Sequence, residues 1–392
     1  MMKLLVAGGA LLAAVTVSLA ACSGPGGTAS VATLTPTPSP TPITSGAPTA
    51  TPSPPPVNAL WAIDGATVVE FTTAQIASGT INPIHQFSIA DPNLTLSFGM
   101  AFDRLGNLWI VQGDLNINPS TGNYSGRILE FRAAQLAALT VVPNPSPAVT
   151  LTTIGAVYGI AFDASGNLWA SVFPFAGGTI QEFSAAQIGV SGTPTATVTL
   201  QGQEFGAVAF ASDGTLWYTP EAVFGPSGGL VFGLAPAQLA TSGSPTAAYM
   251  LQANAPSVVA GQLAVLITPN EIAFDGNGNL WSAFNGFYFE YAQNILHAAP
   301  SAPTTGFQAY PSEQQGGSTE VLPGYALAFD SANDLIANST NNTNSASNVL
   351  KEYTPVQYAG TSPTPTSARF GSSVPAFDGH LGNYIVRGPF VP

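Results

Sequence analysis

The stretch Gly-Ile-Ala-Phe-Asp-Ala-Ser-Gly-Asn-Leu-Trp at residues 159–169 is repeated, with substitutions, along most of the chain. Each copy has a short apolar strand, a turn with Asp, Gly or Asn, and a second strand, which is typical of a β-hairpin. Six copies, spaced by about 50 residues, predict an all-β fold, a β-propeller of four-stranded blades. The other copies lie at 99–109, 207–217, 271–281, 326–336 and 375–384, and in all six the Phe position precedes the Trp position by seven residues.

The other two strands of each blade also leave a pattern. A run that ends in Glu and an aromatic residue, such as 180–183, predicts the third strand, and a Thr- and Val-rich run such as 196–200 predicts the fourth. Between them, Ser184 precedes Gln187 in a capping box that recurs in other blades and is broken at Arg132. We therefore expect a one-turn helix there, with the repeated Gln residues serving as caps and not as ligand-binding groups.

The number of copies predicts six blades, with seven as the alternative. The chain enters the repeat at a second strand, Leu60-Trp61, and its last inner strand is predicted at 373–378. We therefore expect the N- and C-terminal strands to share one blade, which closes the ring and removes its sheet edges. The segment 384–386 is left over, either as an extra strand or as part of a seventh blade. The five complete blades are expected at 98–152, 158–200, 205–251, 270–309 and 325–370.

The N-terminus has the features of an export signal. Lys3 precedes an apolar run at 4–17 that is short for a membrane span, and Leu19-Ala20-Ala21-Cys22 resembles the lipobox of bacterial lipoproteins. The resemblance implies that residues 1–21 are a lipoprotein signal peptide and that Cys22 is lipidated, with an ordinary secretory peptide as the alternative. The implied location is the bacterial cell envelope, on the extracytoplasmic side, anchored to the outer membrane or cell surface, with the lipid membrane as a partner.

A linker joins this anchor to the propeller. Residues 22–56 consist almost wholly of Gly, Ser, Thr, Ala and Pro, which cannot bury a core, so this segment is expected to be disordered. The propeller domain is predicted at 57–392.

Composition excludes some partners. Seven Lys and Arg stand against 20 Asp and Glu, for a net charge of −13 at pH 7. Binding to nucleic acid needs clustered cations, as does electrostatic attraction to anionic lipid, so both are excluded. A monomer with a neutral partner is expected, either a protein, a glycan or a small molecule.

The hairpin spacing resembles that of NHL repeats and of the wider group of six-bladed propellers that includes the gluconolactonase-like enzymes and the virginiamycin B lyases. The resemblance covers roughly residues 57–392, and it is specific for the architecture but not for an activity. It implies a divalent metal, held by Asn, Asp and Glu just before the inner strands. Asn270 matches that motif, and Glu271 and Glu204 enter with an offset of one residue. These three are the candidate Ca²⁺ or Mg²⁺ ligands of a metal-dependent hydrolase (lactonase-like) or lyase.

We prefer a non-catalytic binding function, in which no cofactor is expected and no catalytic residue is assigned. The longer loops are those between second and third strands and between successive blades, which leave from one face, as expected of a binding face on a rigid scaffold. Aromatic residues there are predicted either to bind a ligand around the channel mouth or to fill the channel as core. The candidate mouth residues are Phe98, Tyr158, Phe205, Asn270 and Tyr325.

Two other repeated groups are interpreted as structural. The Asp that follows each inner strand, such as Asp163, is expected to accept backbone N–H groups in its turn. The Glu of each third strand, such as Glu182, is expected to be solvated or bonded to a neighbouring blade. His85, His297 and His380 are expected to be surface or strand residues, away from the channel mouth, where the lyase resemblance would need a His.

Overall fold

The computed structural model describes most of the residues between Val57 and Pro389. The proposed signal peptide and linker lie outside them, as do residues 373–378 and His380. The described ranges are 57–64, 67–72, 75, 80–81, 84–89, 96–118, 123–140, 143–173, 177–202, 205–220, 230–253, 271–284, 287–297, 304–311, 326–330, 332–339, 349–358, 366–370 and 384–389.

The described strands form six antiparallel units, here named units 1 to 6 in chain order. Unit 1 contains β1 (Val57–Asp64), β2 (Thr67–Thr72), β4 (His85–Ser88) and the C-terminal β25 (Tyr384–Pro389). The short β3 (Thr80–Ile81) lies between β2 and β4 in the chain but pairs outside this unit. Unit 2 contains β5 (Leu96–Phe102), β6 (Leu108–Asn118), β7 (Asn123–Phe131) and β8 (Val149–Ile154), and unit 3 contains β9 (Ala156–Phe162), β10 (Leu168–Phe173), β11 (Thr179–Phe183) and β12 (Val198–Gln201).

Units 4 to 6 repeat the same four-stranded meander. Unit 4 contains β13 (Phe205–Phe210), β14 (Leu216–Pro220), β15 (Leu230–Leu234) and β16 (Tyr249–Ala253). Unit 5 contains β17 (Glu271–Phe274), β18 (Leu280–Phe284), β19 (Phe287–Tyr291) and β20 (Thr304–Pro311), and unit 6 contains β21 (Leu327–Phe329), β22 (Leu335–Ser339), β23 (Val349–Tyr353) and β24 (Thr366–Phe370). Repeated four-stranded antiparallel sheets are the blades of a β-propeller, so this level of the prediction is confirmed.

The predicted hairpins set the register of the units. In unit 3, Phe162 lies opposite Leu168 and Ala161 lies opposite Trp169. The equivalent pairs recur in units 2, 4 and 5. The turn between the strands closes with a hydrogen bond of 3.1 Å from the Asp163 N–H to the Asn167 carbonyl, and Gly166 adopts a positive φ of 82°, which favours glycine.

Short helical turns follow the third strands, as predicted. They are α1 (Ala133–Leu136), α2 (Pro355–Tyr358) and the 3₁₀ turns Pro236–Gln238 and Gln293–Ile295. Gln187 Oε1 accepts the Ser184 N–H at 2.8 Å, so the capping interpretation is confirmed there. The expected break at Arg132 is corrected in part, because its backbone N–H still donates to Gln135 Oε1 at 2.9 Å. None of the described helices is long and apolar enough to cross a bilayer.

The core lies between neighbouring units. Four of the five second-strand Trp residues meet the inner-strand Phe of the next unit, as Trp61 meets Phe102 with ring centroids 6.0 Å apart. Trp217 stacks on Tyr249 of its own unit, with ring centroids 6.1 Å apart. These tryptophans are at most 3% exposed, and large apolar groups removed from water dominate the stability of such a core. The other such pairs are Trp109–Phe162, Trp169–Phe210 and Trp281–Phe329, at 5.8, 6.0 and 5.4 Å.

Parallel pairs also join the units at their outer strands. β16 pairs with β20, so units 4 and 5 form a continuous sheet of eight strands, and β24 pairs with β3. Single bridges link Leu151 to Gly192 and Leu200 to Gly243. Gly192 and Gly243 each follow a Ser whose hydroxyl accepts a backbone N–H from the neighbouring outer strand at 3.0 Å.

The strand beside β1 differs from the predicted one. β1 pairs with β2 on one edge and with β25 on the other, where Trp61 lies opposite Val386. The predicted partner, 373–378, lies outside the described residues, and β25 occupies the edge of β1 that was assigned to it. The reason is that Tyr384-Ile385-Val386 is an apolar, β-branched run that suits a strand, although it had no role in the repeat count.

Candidate functional site

A polar network fills the hairpin turn of several units. In unit 3, Asp163 Oδ1 accepts the backbone N–H groups of Ser165 and Asn167 at 2.8 and 2.9 Å. Its Oδ2 accepts the Asn167 side-chain amide at 2.9 Å and the Trp169 indole N–H at 3.1 Å. Asn167 donates in addition to Glu182 Oε1 at 2.8 Å. We call this Asp–Asn–Trp–Glu arrangement the turn network.

The turn network recurs in unit 5, with Asp275, Asn279, Trp281 and Glu290, and its Asp–Asn–Trp part recurs in unit 2, with Asp103, Asn107 and Trp109. The interpretation of the repeated Asp as a turn residue is therefore confirmed in these units. The expectation for Glu182 and Glu290 is corrected, because each accepts from an Asn of its own unit. Those Asn side chains bring the third strand within reach of the turn.

Unit 4 has lost the network. Ala211, Thr215 and Gly233 occupy the positions of the Asp, Asn and Glu. Trp217 remains fully buried, but its indole N–H and the Thr215 hydroxyl have no hydrogen-bond partner among the described residues. Unpaired buried donors are unusual, since each retains a desolvation cost of about 1–3 kcal/mol.

The inner strands of units 2 to 6 surround a central cavity of about 530 Å³. Small and aliphatic residues from β5, β9, β13, β17 and β21 form most of its wall. Tyr158 and Glu271 line it at the end where the inner strands begin, and Asp275 lines it at the end of the hairpin turns. The side chains around this concave site are thus mainly apolar, and polar atoms form nearly half of its exposed lining. A mixture of apolar surface and a few polar side chains is typical of sites for small organic ligands.

The structure describes some of the candidate mouth residues and not others. Tyr158 lines the cavity, is partly exposed, and packs edge-on against Phe173 with ring centroids 6.1 Å apart. Phe98 lies in β5 and Phe205 begins β13, so both backbones are near the predicted end of the cavity. The remaining candidates, Asn270, Tyr325 and the possible metal ligand Glu204, lie outside the described residues.

Glu271 connects two units. Its Oε2 accepts the backbone N–H of Leu327, on the next inner strand, at 3.0 Å. The equivalent residues of the other units are Gly or Ala, and a Cβ on Gly159 would lie 3.0 Å from the Gly206 carbonyl oxygen. Neighbouring inner strands therefore approach closely here, and in unit 5 a carboxylate bridges them. Burial raises the pKa of Glu271 well above its usual range, while the Leu327 N–H lowers it.

The carboxyl group of Glu271 is expected to make stability depend on pH. Because its folded-state pKa is raised, its stabilising contribution is complete below the ordinary value of 4.5 and is lost as pH rises through the folded pKa. Glu271→Gln keeps the acceptor for Leu327 and does not ionise. The variant should unfold at the wild-type temperature at about pH 4 and at a higher temperature at about pH 8. Equal differences at both values, measured by circular dichroism, would contradict this.

A second cavity, of about 680 Å³, lies at the hairpin-turn end of units 3 to 5. It shares Phe162, Phe210, Phe274, Asp275 and Gly276 with the first cavity, and Trp217 forms part of its wall. His297 Nε2 lies 2.8 Å from Asp213 Oδ2 beside it, and both residues are exposed. This cavity was not predicted from the sequence, although Ala211 at the position of the usual Asp was a visible signal.

The two described histidines lie away from the predicted channel mouth. His297 is exposed, as expected of a surface residue. His85 lies in β4, is buried, and its Nδ1 is 2.6 Å from Glu70 Oε2. Glu70 is the third-strand Glu of unit 1, so here a His takes the place that an Asn amide has in units 3 and 5.

No protein-family model matches the chain, and no curated protein matches its sequence. Among solved structures, a protein of unknown function from Bacteroides caccae has a TM-score of 0.51 at 9% identity, covering 85% of this chain and 99% of that one. A putative gluconolactonase has a TM-score of 0.40 at 14% identity, covering 72% and 80%. Virginiamycin B lyase from Staphylococcus aureus has 0.35 at 13% identity, covering 72% and 88%. The first likeness shows a shared fold alone, and the other two decide nothing about function.

Proposed function

We propose that this protein is a lipid-anchored receptor of the bacterial cell envelope, whose propeller binds a neutral glycan, protein segment or small molecule without catalysing a reaction. The central cavity carries the proposal. It combines mainly apolar side chains with an aromatic residue, Tyr158, at the end where the inner strands begin. The net charge of −13 makes an anionic ligand unfavourable.

The proposal includes a closed ring of six blades. The inner strands β5, β9, β13, β17 and β21 contact one another in this order, and β25 contacts both β21 and β5. This cyclic order of six strands supports a ring in which β25 serves as the inner strand of unit 1. A ring of this kind holds the cavity wall in place before the ligand arrives, which lowers the entropy lost on binding.

Glu271 favours binding over metal-dependent catalysis. Its carboxyl group already accepts the Leu327 N–H, so one of its oxygens serves the contact between units 5 and 6. A metal-dependent hydrolase (lactonase-like) or lyase that uses Asn270, Glu271 and Glu204 with Ca²⁺ or Mg²⁺ is the competing function. The two functions predict different fates for a neutral compound: a receptor binds it unchanged, whereas an enzyme converts it.

The binding function is tested with the purified full chain and a panel of neutral oligosaccharides and lactones. We expect at least one compound to bind by calorimetry without turnover, and Tyr158→Ala to weaken its affinity tenfold or more. His297→Ala, beside the second cavity, is the matched control and should leave the affinity unchanged. Hydrolysis of a lactone that requires Ca²⁺ or Mg²⁺ and is lost in Asn270→Ala would instead establish the enzyme.

The anchor has its own test. Cys22→Ala should move nearly all of the protein from the membrane fraction to the soluble fraction, because each buried CH₂ of an acyl chain contributes about 0.8 kcal/mol to membrane binding. Fractionation of cells followed by immunoblotting measures this, and Ser23→Ala is the control that keeps the thiol. Retention of the Cys22 variant in the membrane at the wild-type level would refute lipidation.

A further inference from the structure

The turn network of unit 6 is altered in a way that differs from unit 4. Asp330 and Glu352 are kept, but Asp334 stands where units 2, 3 and 5 have Asn, and Ile336 stands where they have Trp. Three carboxylates therefore meet, each offering an oxygen within 4.8 Å of the others. Asp330 and Glu352 are 8% and 7% exposed, and Asp334 is partly exposed.

The substitutions remove the Asn amide and the Trp indole, the two side-chain donors that units 3 and 5 share in this network. In unit 3 the Asn167 amide donates to both carboxylates and the Trp169 N–H donates to Asp163. Asp334 and Ile336 have no such N–H groups. A backbone donor is missing as well. In unit 3 the Ala185 N–H donates to Asn167 Oδ1 at 3.1 Å, but unit 6 has Pro355, which has no N–H, at the position of Ala185.

The backbone part of the network is retained. Asp330 Oδ1 accepts the N–H groups of Ala332 and Asp334, each at 2.8 Å, so the turn holds the carboxylate in the same orientation as Asp163. Glu352 accepts no hydrogen bond from any described residue, although it is more than nine-tenths buried and points at the two aspartates. A buried, unpaired carboxylate facing two others is strongly unfavourable without a positive charge between them.

We propose that Asp330, Asp334 and Glu352 bind one hard divalent cation, of the size of Ca²⁺, at the turn end of unit 6. Carboxylate oxygens are the ligands that Ca²⁺ prefers, at 2.3–2.6 Å from the ion, and three oxygens within 4.8 Å of one another can share such an ion. The partly exposed Asp334 marks the side from which water completes the coordination. The cation replaces the amide that joins the third strand to the turn in units 3 and 5, so its role is structural.

A proton shared within the cluster is the competing explanation. Burial, together with the charges of Asp334 and Asp330, raises the pKa of Glu352 to about 7. Among the described residues, the charged groups that face Glu352 are Asp330 and Asp334. A proton would relieve part of the repulsion below neutral pH, whereas a divalent ion relieves it at neutral and higher pH.

The test uses the full chain, freed of metal with EDTA and titrated at pH 7.5 with CaCl₂ or MgCl₂ in a calorimeter. We expect one Ca²⁺ to bind per chain and the melting temperature to rise by about 5 °C at a hundredfold excess over the dissociation constant. Asp334→Asn restores the amide of the other units. This variant should fold, lose the Ca²⁺-dependent rise, and melt in EDTA at or above the wild-type temperature.

Two variants complete the design. Glu352→Gln should weaken Ca²⁺ binding at least tenfold, and Glu182→Gln, at the same position of unit 3, should leave it unchanged. If Asp334→Asn binds Ca²⁺ as the wild type does, the ion lies elsewhere, for example at Glu271, and the proposal is wrong. It is also wrong if the wild type binds no Ca²⁺ and is stabilised only by lowering the pH.

Discussion

Deletion of residues 384–392 should abolish the cooperative unfolding of this protein or lower its melting temperature by more than about 10 °C. The deletion removes β25, which covers one edge of β1 and contacts the inner strands β5 and β21. Trp61 and Ile63 are fully buried in the strand that would become an open edge. A loss of several kcal/mol is a large part of a usual domain stability of ~5–15 kcal/mol, because each unit packs on its neighbours. Differential scanning calorimetry of the shortened chain measures the effect.

Deletion of 390–392 alone is the matched control for this experiment. It shortens the chain after the strand and keeps every pair between β1 and β25, so the melting temperature should stay within about 1 °C of that of the full chain. If the longer deletion also leaves the midpoint unchanged, β25 does not support the ring, and the closure of six blades proposed above is refuted.

Trp169→Ala should lower the free energy of unfolding by about 3–5 kcal/mol. The Trp169 ring is 3% exposed and meets Phe210 of the next unit with centroids 6.0 Å apart. Removal of the ring opens a cavity in the contact between units 3 and 4, and it takes away the indole N–H that Asp163 Oδ2 accepts at 3.1 Å. Urea denaturation followed by circular dichroism measures the change, provided that the slope with urea stays the same.

Two companion variants separate packing from hydrogen bonding at Trp169. Trp169→Phe keeps most of the ring but not the N–H, so its cost should be smaller than that of the Ala variant, because a part of the apolar contact and of the buried volume is retained. Leu105→Ala removes an apolar side chain that is 56% exposed and should change stability by less than about 0.5 kcal/mol. A cost of less than about 1 kcal/mol for Trp169→Ala would mean that the aromatic contact between units contributes little.

The local parts of the fold were predictable because they depend on residues close together in sequence. Asp163, Gly166 and Trp169 define a hairpin within seven residues, and the Ser184–Gln187 cap spans four, so the sequence states both directly. The partner of β1 was not predictable in the same way. The segment 384–389 pairs with residues more than 300 positions earlier, and its sequence does not carry the Ala-Phe pattern of the other inner strands.

The candidate site was predictable only in outline. Tyr158 lines the cavity, because its place at the start of an inner strand puts it near the channel, and its part in binding a ligand stays a prediction. The bond from Leu327 to Glu271 could not be read from sequence, because it depends on how closely two neighbouring units approach. The three carboxylates of unit 6 were visible as residues, but only the geometry of unit 3 shows which donors they have lost.

Because synthesis starts at the N-terminus, β1 is made long before β25, the strand that pairs with it. Val57–Asp64 is among the first strands to leave the ribosome, while Tyr384–Pro389 follows 320 residues later, counting from 64 to 384. At ~5–20 residues per second, the first strand is without its partner for roughly 16 to 64 seconds. During that interval its open backbone can pair with another chain, so the cell must delay its folding or shield it until the last residues have been synthesised.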